Sequence, residues 1–395
     1  MRILLYAWNA NNEQILADNL IRSGFEIVWF REPCKHYTRD MELALKMIPY
    51  IHSNGIEAVI SFNYFPIISM ICDTCKIPYY AWVYDCPHFT LYAKQIHLAC
   101  NHIGIFDKEM VRKLQEKGVK TVCHVPLSID TERFGLTIRK SGYKDSKVFR
   151  SDISFVGSLY TDEYNYYDML LGKKEQEIFG CVIQNQVFSY EKNYLAEAVN
   201  SGQIDIRVIR DKMEQEGLML GEDYFADAEE ILQAAVLEKK VTVEERKTLL
   251  LRIADEFGEK YRFALYTGSD LHGYPALKRY HRGTVSYQKQ MPLVFSGSKI
   301  NLNLSLRSIH SGIPLRVLDI MACGGFVLSN WQPEISEYLE EGKEIVTFGC
   351  AEECMDKIRY YLEHEEERRQ IAEAGQNKVK NDFSYEKGIT RLLGL

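Results

Sequence analysis

The densest group of residues able to do chemistry lies between Ser311 and Gly325, in the run SGIPLRVLDIMACGG. Gly312 lets a backbone come close to a ligand. Pro314 suits the first turn of a helix, where its missing N–H costs nothing. The free amides around Ser311, Gly312 and Ile313 would then form an anion site at a helix N-terminus. Arg316 adds a forked donor for phosphate oxygens. Asp319, one turn deeper, cannot help bind phosphate but can accept hydrogen bonds from two ribose hydroxyls. The spacing also allows a plainer reading: Arg316 and Asp319 stand three apart and could form an ion pair on the helix.

Three further segments carry reactive groups. In FVGSLYTD, Gly157 and Ser158 follow a strand and could approach a diphosphate; a simple tight turn is the alternative. In YYAWVYDCPHFTLY, Asp85 and His88 lie just past a strand end, where α/β folds keep reactive groups. Asp85 could act as a general base, and His88 could bond a sugar hydroxyl or an oxygen of developing charge. The alternative for His88 is a hydrogen-bonded structural histidine. In SFNYFP, Asn63 and Tyr64 end another strand and could line the same cleft, or Tyr64 could simply pack.

The elements that must position these residues are legible as alternating apolar runs and amphipathic stretches. RILLYAW, FEIVWF, IEAVISF, IPYYAWVYD, HIGIFD and KTVCHVPL read as strands, with helices such as NEQILADNLIRSG and KEMVRKLQEKG between them. This is a parallel α/β unit, Rossmann-like, over residues 1–149. A second begins at DISFVGSLYTD and runs to about residue 380. Between about 165 and 260 it is interrupted by almost continuous helix, and strands resume at RFALYTGSD and KINLNLSL. The segment between the strand candidates IPYYAWVYD and HIGIFD also reads as helix. Residues 381–395 form a terminal helix that could pack back on the first domain. The charge run Glu363 to Arg369 reads as a solvated helix face. Two such domains place their sheet ends, and hence a ligand, at a shared cleft.

Bulk properties narrow the classes. The chain has 395 residues, 46% of them hydrophobic and 26% charged, which suits a globular protein of two domains. A net charge of −7 argues against broad binding to nucleic acid or anionic membranes, though not against one phosphate-bearing ligand. The amino terminus turns polar after Trp8, so no secretory signal is expected, and no apolar run approaches the length of a membrane span. Ten cysteines without a signal fit reduced thiols in a cytoplasm. CDTC (Cys72 to Cys75) has no matching partner pair, and CAEEC is too loose, so structural thiols are expected rather than a zinc site. No G-x-G-x-x-G follows the first strand and no P-loop lysine is present, which counts against dinucleotide and P-loop chemistry. DYFAD (Asp223 to Asp227) lacks the close acidic pair that would hold a metal, and no metal is expected.

Two regions resemble a known family. VISFNYFPIISMICDTCKIPYYAWVYDCPHFTLY and FDKEMVRKLQEKGVKTVCHVPLSIDTERF are similar to the amino-terminal domain of CgeB-like, spore-maturation-type glycosyltransferases. RSIHSGIPLRVLDIMACGGFVLSNWQPEISEYLEEGKEIVTF resembles that family's carboxy-terminal module, and YYLEHEEERRQIAEAGQNKV its terminal helices. The resemblance implies a GT-B fold: two Rossmann-like domains facing a cleft, here with a helical insertion in the second. It implies transfer of a sugar from a nucleotide-diphosphate donor, of UDP type, to an unknown acceptor, with no metal and no further cofactor. In related retaining enzymes a Glu of the EAMACG motif binds the donor ribose; Asp319 stands there. A second Glu normally lies eight residues earlier, and here that place is Ser311, which leaves retention or inversion open. On this plan Gly157, Ser158, Ser311, Gly312, Ile313 and Arg316 hold the diphosphate. Asp85 and His88 are catalytic, and Asn63 and Tyr64 line the acceptor side. Two rivals stand beside it: a catalytically silent sugar-nucleotide binder or surface-assembly protein, and a nucleotide-sugar epimerase. The insert could also supply an oligomer contact.

Overall fold

The structure is a computed structural model, and it describes residues 1–141, 147–161, 165–190, 192–216, 223 and 229–395. Six parallel strands form the first sheet: β1 (Arg2–Tyr6), β2 (Glu26–Phe30), β3 (Ala58–Phe62), β4 (Tyr79–Val83), β5 (Asn101–Ile105) and β6 (Val122–His124). Their spatial order is β2-β1-β3-β4-β5-β6. Five form the second: β7 (Ser151–Val156), β8 (Phe263–Tyr266), β9 (Ser298–Asn303), β10 (Val327–Asn330) and β11 (Val346–Phe348), ordered β11-β10-β9-β7-β8. Helices cover both faces, so β3 and β7 are buried along their whole length, β7 even at Ser151, Asp152 and Ser154.

Each sheet has one point where the chain reverses its direction of winding. In the first it lies between β1 and β3, in the second between β7 and β9. Loops leaving adjacent strands there turn to opposite faces and leave a crevice at the carboxyl ends of the strands. The crevices of the two sheets face each other across one cavity of about 500 Å³. Topology alone therefore brings together the loops after β1, β3, β7 and β9.

Between β7 and β8 the described residues are largely helical: Lys173–Gln186, Tyr194–Asn200, Ile206–Gln215, and a run from Glu229 to Phe257 that includes one π-helical turn, Gln233–Glu238. These helices bury an apolar cluster of their own around Phe179, Ile183, Ile209 and Val236. Of the DYFAD stretch, Asp223 pairs with Arg39 at 2.7 Å, and residues 224–227 lie outside the described residues. The helix expected between β4 and β5 is instead two short 3₁₀ turns, Phe89–Tyr92 and Lys94–His97. The Thr90 hydroxyl donates to the Tyr64 carbonyl at 2.6 Å, which pins this segment to the loop after β3.

The last helix, Tyr385–Leu393, crosses back onto the first sheet, where Tyr385, Ile389 and Leu392 join Trp82 and Val125. A Cβ at Gly388 would stand 2.1 Å from the Trp82 ring, so only glycine allows this seat. Cys72 and Cys75 are free, and burial raises both thiols. Among the described residues no helix is long and apolar enough to cross a membrane.

Candidate active site

The first-domain wall of the cavity is built from two loops. Asn63 follows β3 with φ 59°, a left-handed conformation that asparagine tolerates better than most residues. From there its Oδ1 accepts the Tyr84 amide at 2.9 Å and the Asp85 amide at 3.2 Å. Its Nδ2 donates to Asp85 Oδ2 at 2.6 Å. One side chain thus stitches the ends of β3 and β4 together and holds the exposed Asp85 carboxylate in the cavity. The polar loop after β1, Asn9 to Asn12, lines the same wall.

The other wall carries two guanidinium groups, Arg246 and Arg316. Arg246 comes from the Lys239–Phe257 helix of the insertion. It is buried and donates to carbonyls, of Leu304 at 3.1 Å through Nε and of Ser158 through Nη1. Its charge has no carboxylate within ion-pair distance among the described residues. Burial lowers its pKa against the pull of Tyr160, and the nearby Arg316 lowers it further. Tyr160 stacks under it, with the guanidinium 4.9 Å from the ring centre. Tyr160 lies at φ 54°, a costly conformation for a bulky residue.

Arg316 lies in the first turn of the helix Leu315–Ala322 and bonds Asp319 at 3.0 Å, so the ion pair allowed by the spacing is formed. Asp319 is buried, and the Tyr287 hydroxyl donates to it at 2.6 Å. Tyr287 and Arg316 line the cavity and Asp319 lies behind them, so its carboxylate is engaged rather than open to ribose. Burial raises the Asp319 carboxyl to about 6, against the pull of Arg316 and the Tyr287 hydroxyl. An unfolded aspartate titrates near ~3.9. Between about pH 4 and 6 the folded chain therefore holds a proton that the unfolded chain releases. This carboxyl favours the fold most below pH 4, and that contribution is lost as pH rises through 6. Asp319→Asn should flatten this part of the stability profile, read from urea midpoints between pH 4 and 7. A slope identical to the parent protein would show that the carboxyl is solvated.

The loop before that helix departs from expectation. The amides of His310, Ser311 and Gly312 donate to Asp107 Oδ2 at 2.7, 3.0 and 3.3 Å. The anion they hold is a carboxylate of the first domain, not an open site for diphosphate. Gly312 is needed for the same seam: a Cβ there would meet Phe106 at 2.7 Å. Ile313 is buried in the core and does not face the cavity. Ser311 Oγ sits 3.0 Å from Asp107 Oδ1 and 2.8 Å from Glu334 Oε1. A glutamate at 311 would add a third carboxylate there, which gives a physical reason for serine.

The remaining expected residues divide. Gly157 and Ser158 line the cavity, but the Gly157 amide is taken by the Tyr266 carbonyl at 3.0 Å. His88 is not on the cavity wall. Its Nε2 lies 2.7 Å from Thr90 Oγ1 and 3.2 Å from the Tyr64 amide, and burial lowers its pKa against the pull of Asp85. It is the structural histidine of the alternative reading. Tyr64 is fully buried and stacks on Tyr79 at 5.9 Å, so it packs. Sequence reasoning passed over Arg246, Tyr160 and Tyr287. Arg246 did carry a signal: it falls on the apolar stripe Val243, Leu249, Leu250, Ile253, where a charge is out of place.

Residues 246–394 match a family model described as glycosyl transferase-like. No curated protein sequence matches the chain. Among solved structures, Anabaena Alr3699/HepE in complex with UDP and glucose is similar over 100% of this chain and 99% of its own, with a TM-score of 0.53 and 10% identity. A glycosyltransferase from Rickettsia africae ESF-5 covers 100% and 97%, with a TM-score of 0.54 and 10% identity. Sucrose-phosphate synthase from Thermosynechococcus elongatus covers 100% and 98%, with a TM-score of 0.54 and 10% identity. At such identity the likeness carries the fold. The chain has the two-domain GT-B fold of glycosyltransferase structures, and from residue 246 onward its second domain matches the glycosyl transferase-like family.

Proposed function

We propose that the protein is a metal-independent glycosyltransferase of the CgeB-like type, moving a hexose from a nucleotide-diphosphate sugar of UDP type to an acceptor not yet identified. It needs no further cofactor and works in the cytoplasm. The first domain, residues 1–149, receives the acceptor; the second, residues 150–380, holds the donor. One observation carries this reading: a buried guanidinium without a counter-ion, Arg246, faces an exposed carboxylate, Asp85, across a cavity at both topological switch points.

The chemistry follows from that placement. The donor diphosphate lies against Arg246 and the first turn of the helix that begins at Leu315, beside Gly157 and Ser158. Asp85 takes a proton from the acceptor hydroxyl as it attacks the anomeric carbon. Arg246 stabilises the charge that grows on the leaving nucleoside diphosphate. Ribose reaches Asp319 once Tyr287 turns aside. Support comes from the fold shared with a protein solved with UDP-glucose.

Calorimetry with a panel of nucleotide sugars, paired with a turnover assay, tests the reading. Arg246→Ala should weaken UDP-glucose by about 10- to 100-fold, the worth of a charge-assisted bond, and uridine far less. Equal losses for both ligands would assign Arg246 to structure alone. A second reading, a binder without turnover, is favoured by the absence of a carboxylate at Ser311 and by the engaged Asp319. Tight donor binding with no turnover in any acceptor extract would select it.

A further inference from the structure

Ile309, in the loop after β9, lines the cavity at the switch points and also a second cavity of about 230 Å³. That second cavity shares Tyr190 and Trp331 with a third, of about 490 Å³. The two adjoin at these rings and form one groove, between the insertion and the carboxyl ends of β10 and β11. The proposed transfer chemistry uses none of its side chains.

Both rings are set by built elements. Trp331 follows β10 directly, its amide donates to the Phe348 carbonyl of β11 at 2.9 Å, and its indole N–H donates to Ser336 Oγ at 2.8 Å. Tyr190 sits on the loop after the helix Lys173–Gln186. Gln186 is buried and ties that loop to itself. Its Nε2 donates to the Ser189 and Lys192 carbonyls at 2.8 and 2.9 Å, and its Oε1 accepts the Leu195 amide at 3.2 Å. Phe188 takes φ 58°, a costly conformation for a bulky residue, and its amide donates to the buried Glu245 at 2.9 Å. The Arg307 guanidinium lies 4.4 Å from the centre of the Tyr190 ring. The tied loop leaves Tyr190 half-buried, as β10 leaves Trp331.

The charges of the wall narrow the ligand. Leaving the titratable His310 aside, Lys113, Lys192 and Arg307 stand against Glu109 and Glu238 in the smaller cavity. In the larger, Lys357 pairs with Glu353 at 2.8 Å and Glu341 at 3.3 Å. Over the groove the formal charges cancel, so no polyanion is selected. Both signs together offer donors and acceptors, which suits hydroxyl groups, each of them both. A sugar ring joins such hydroxyls at its edge to an apolar C–H face, and the negative face of an aromatic ring receives that face. Tyr190 and Trp331 offer the platform where the two cavities meet. We infer that the groove is a binding site for a neutral glycan chain, separate from the cavity that takes the donor.

This site deepens the transferase reading and rests on it only for its purpose. A glycan anchored in the groove raises the local concentration of acceptor hydroxyls at the neighbouring cavity.

The test is binding of the full chain, without nucleotide sugar, to an array of neutral oligosaccharides, uronate-bearing oligosaccharides and acidic peptides. The parent should be retained on neutral oligosaccharides, and more on long ones than on short ones. Trp331→Ala should lower that retention about tenfold, and Trp331→Tyr, which keeps a platform, should restore most of it. Gly349→Phe removes no packing: a Cβ there meets Glu353 Oε2 at 3.5 Å, an ordinary contact, and the added ring obstructs the larger cavity. It too should lose retention. Calorimetry with UDP-glucose should give the same Kd for parent and variants, since neither position lines the donor cavity. A parent that is not retained on neutral oligosaccharides, or only on acidic probes, overturns the inference. Retention by Trp331→Ala and Gly349→Phe equal to that of the parent also overturns it, and the donor reading stands if UDP-glucose binds. Glycan retention by a parent that binds no UDP-glucose sinks the donor reading and leaves the groove.

Discussion

Asp107→Ala is expected to lower the stability of the chain by ~3–5 kcal/mol, more than any other single polar deletion considered. Asp107 is 1% exposed and sits at the start of the helix Lys108–Glu116. Oδ1 accepts the Met110 amide at 2.9 Å, an N-cap worth about 1 kcal/mol. Oδ2 accepts three amides from the other domain, those of His310, Ser311 and Gly312. Each buried amide left without a partner costs ~1–3 kcal/mol, and the losses are not additive within one network. Ser311 Oγ loses a partner too. Asp107→Asn keeps the cap oxygen but turns an NH₂ toward three N–H groups, so it should fall between the parent and alanine. Urea unfolding gives the measurement. A loss under about 1 kcal/mol for the alanine variant would mean that the domains are not joined at this seam in solution.

Asp85→Asn is expected to reduce turnover by about 10²- to 10⁴-fold, the usual contribution of a positioned general base. Donor affinity should stay within about twofold, because the donor lies against the other wall. The substitution is clean for a structural reason. Asn63 Nδ2 donates to Asp85 Oδ2 at 2.6 Å, and an asparagine at 85 can present its own oxygen to that donor. The backbone amide of residue 85 keeps its bond to Asn63 Oδ1. Geometry is preserved and only the basicity is removed. Turnover at parental rate would take Asp85 out of the chemistry. A parallel loss of UDP-glucose binding would assign it to donor recognition instead.

Much of the architecture was legible because it depends on local pattern. Apolar runs of five or six residues, spaced by amphipathic helices, leave few alternatives to two parallel sheets. The helical insertion announced itself by composition. Asn63 and Asp85 were legible because strand ends that face a cleft are where α/β folds keep polar groups. The same rule does not say which neighbours turn inward. His88 and Tyr64 stand within three residues of Asp85 and Asn63, yet their rings face the core.

What the sequence determined by itself was the pair of Rossmann-like sheets and the cluster of polar residues at their strand ends, because periodicity and strand-end position are properties of the local chain. What only the tertiary structure decided was which of those groups remain free for a ligand. The run SGIPLRVLDIMACGG was built as an anion site, and its anion is Asp107, some two hundred residues away. The uncompensated charge on the cavity wall, Arg246, comes from the insertion, which has no motif of its own. Charge compensation is a sum over neighbours in space, and no spacing along the chain records it.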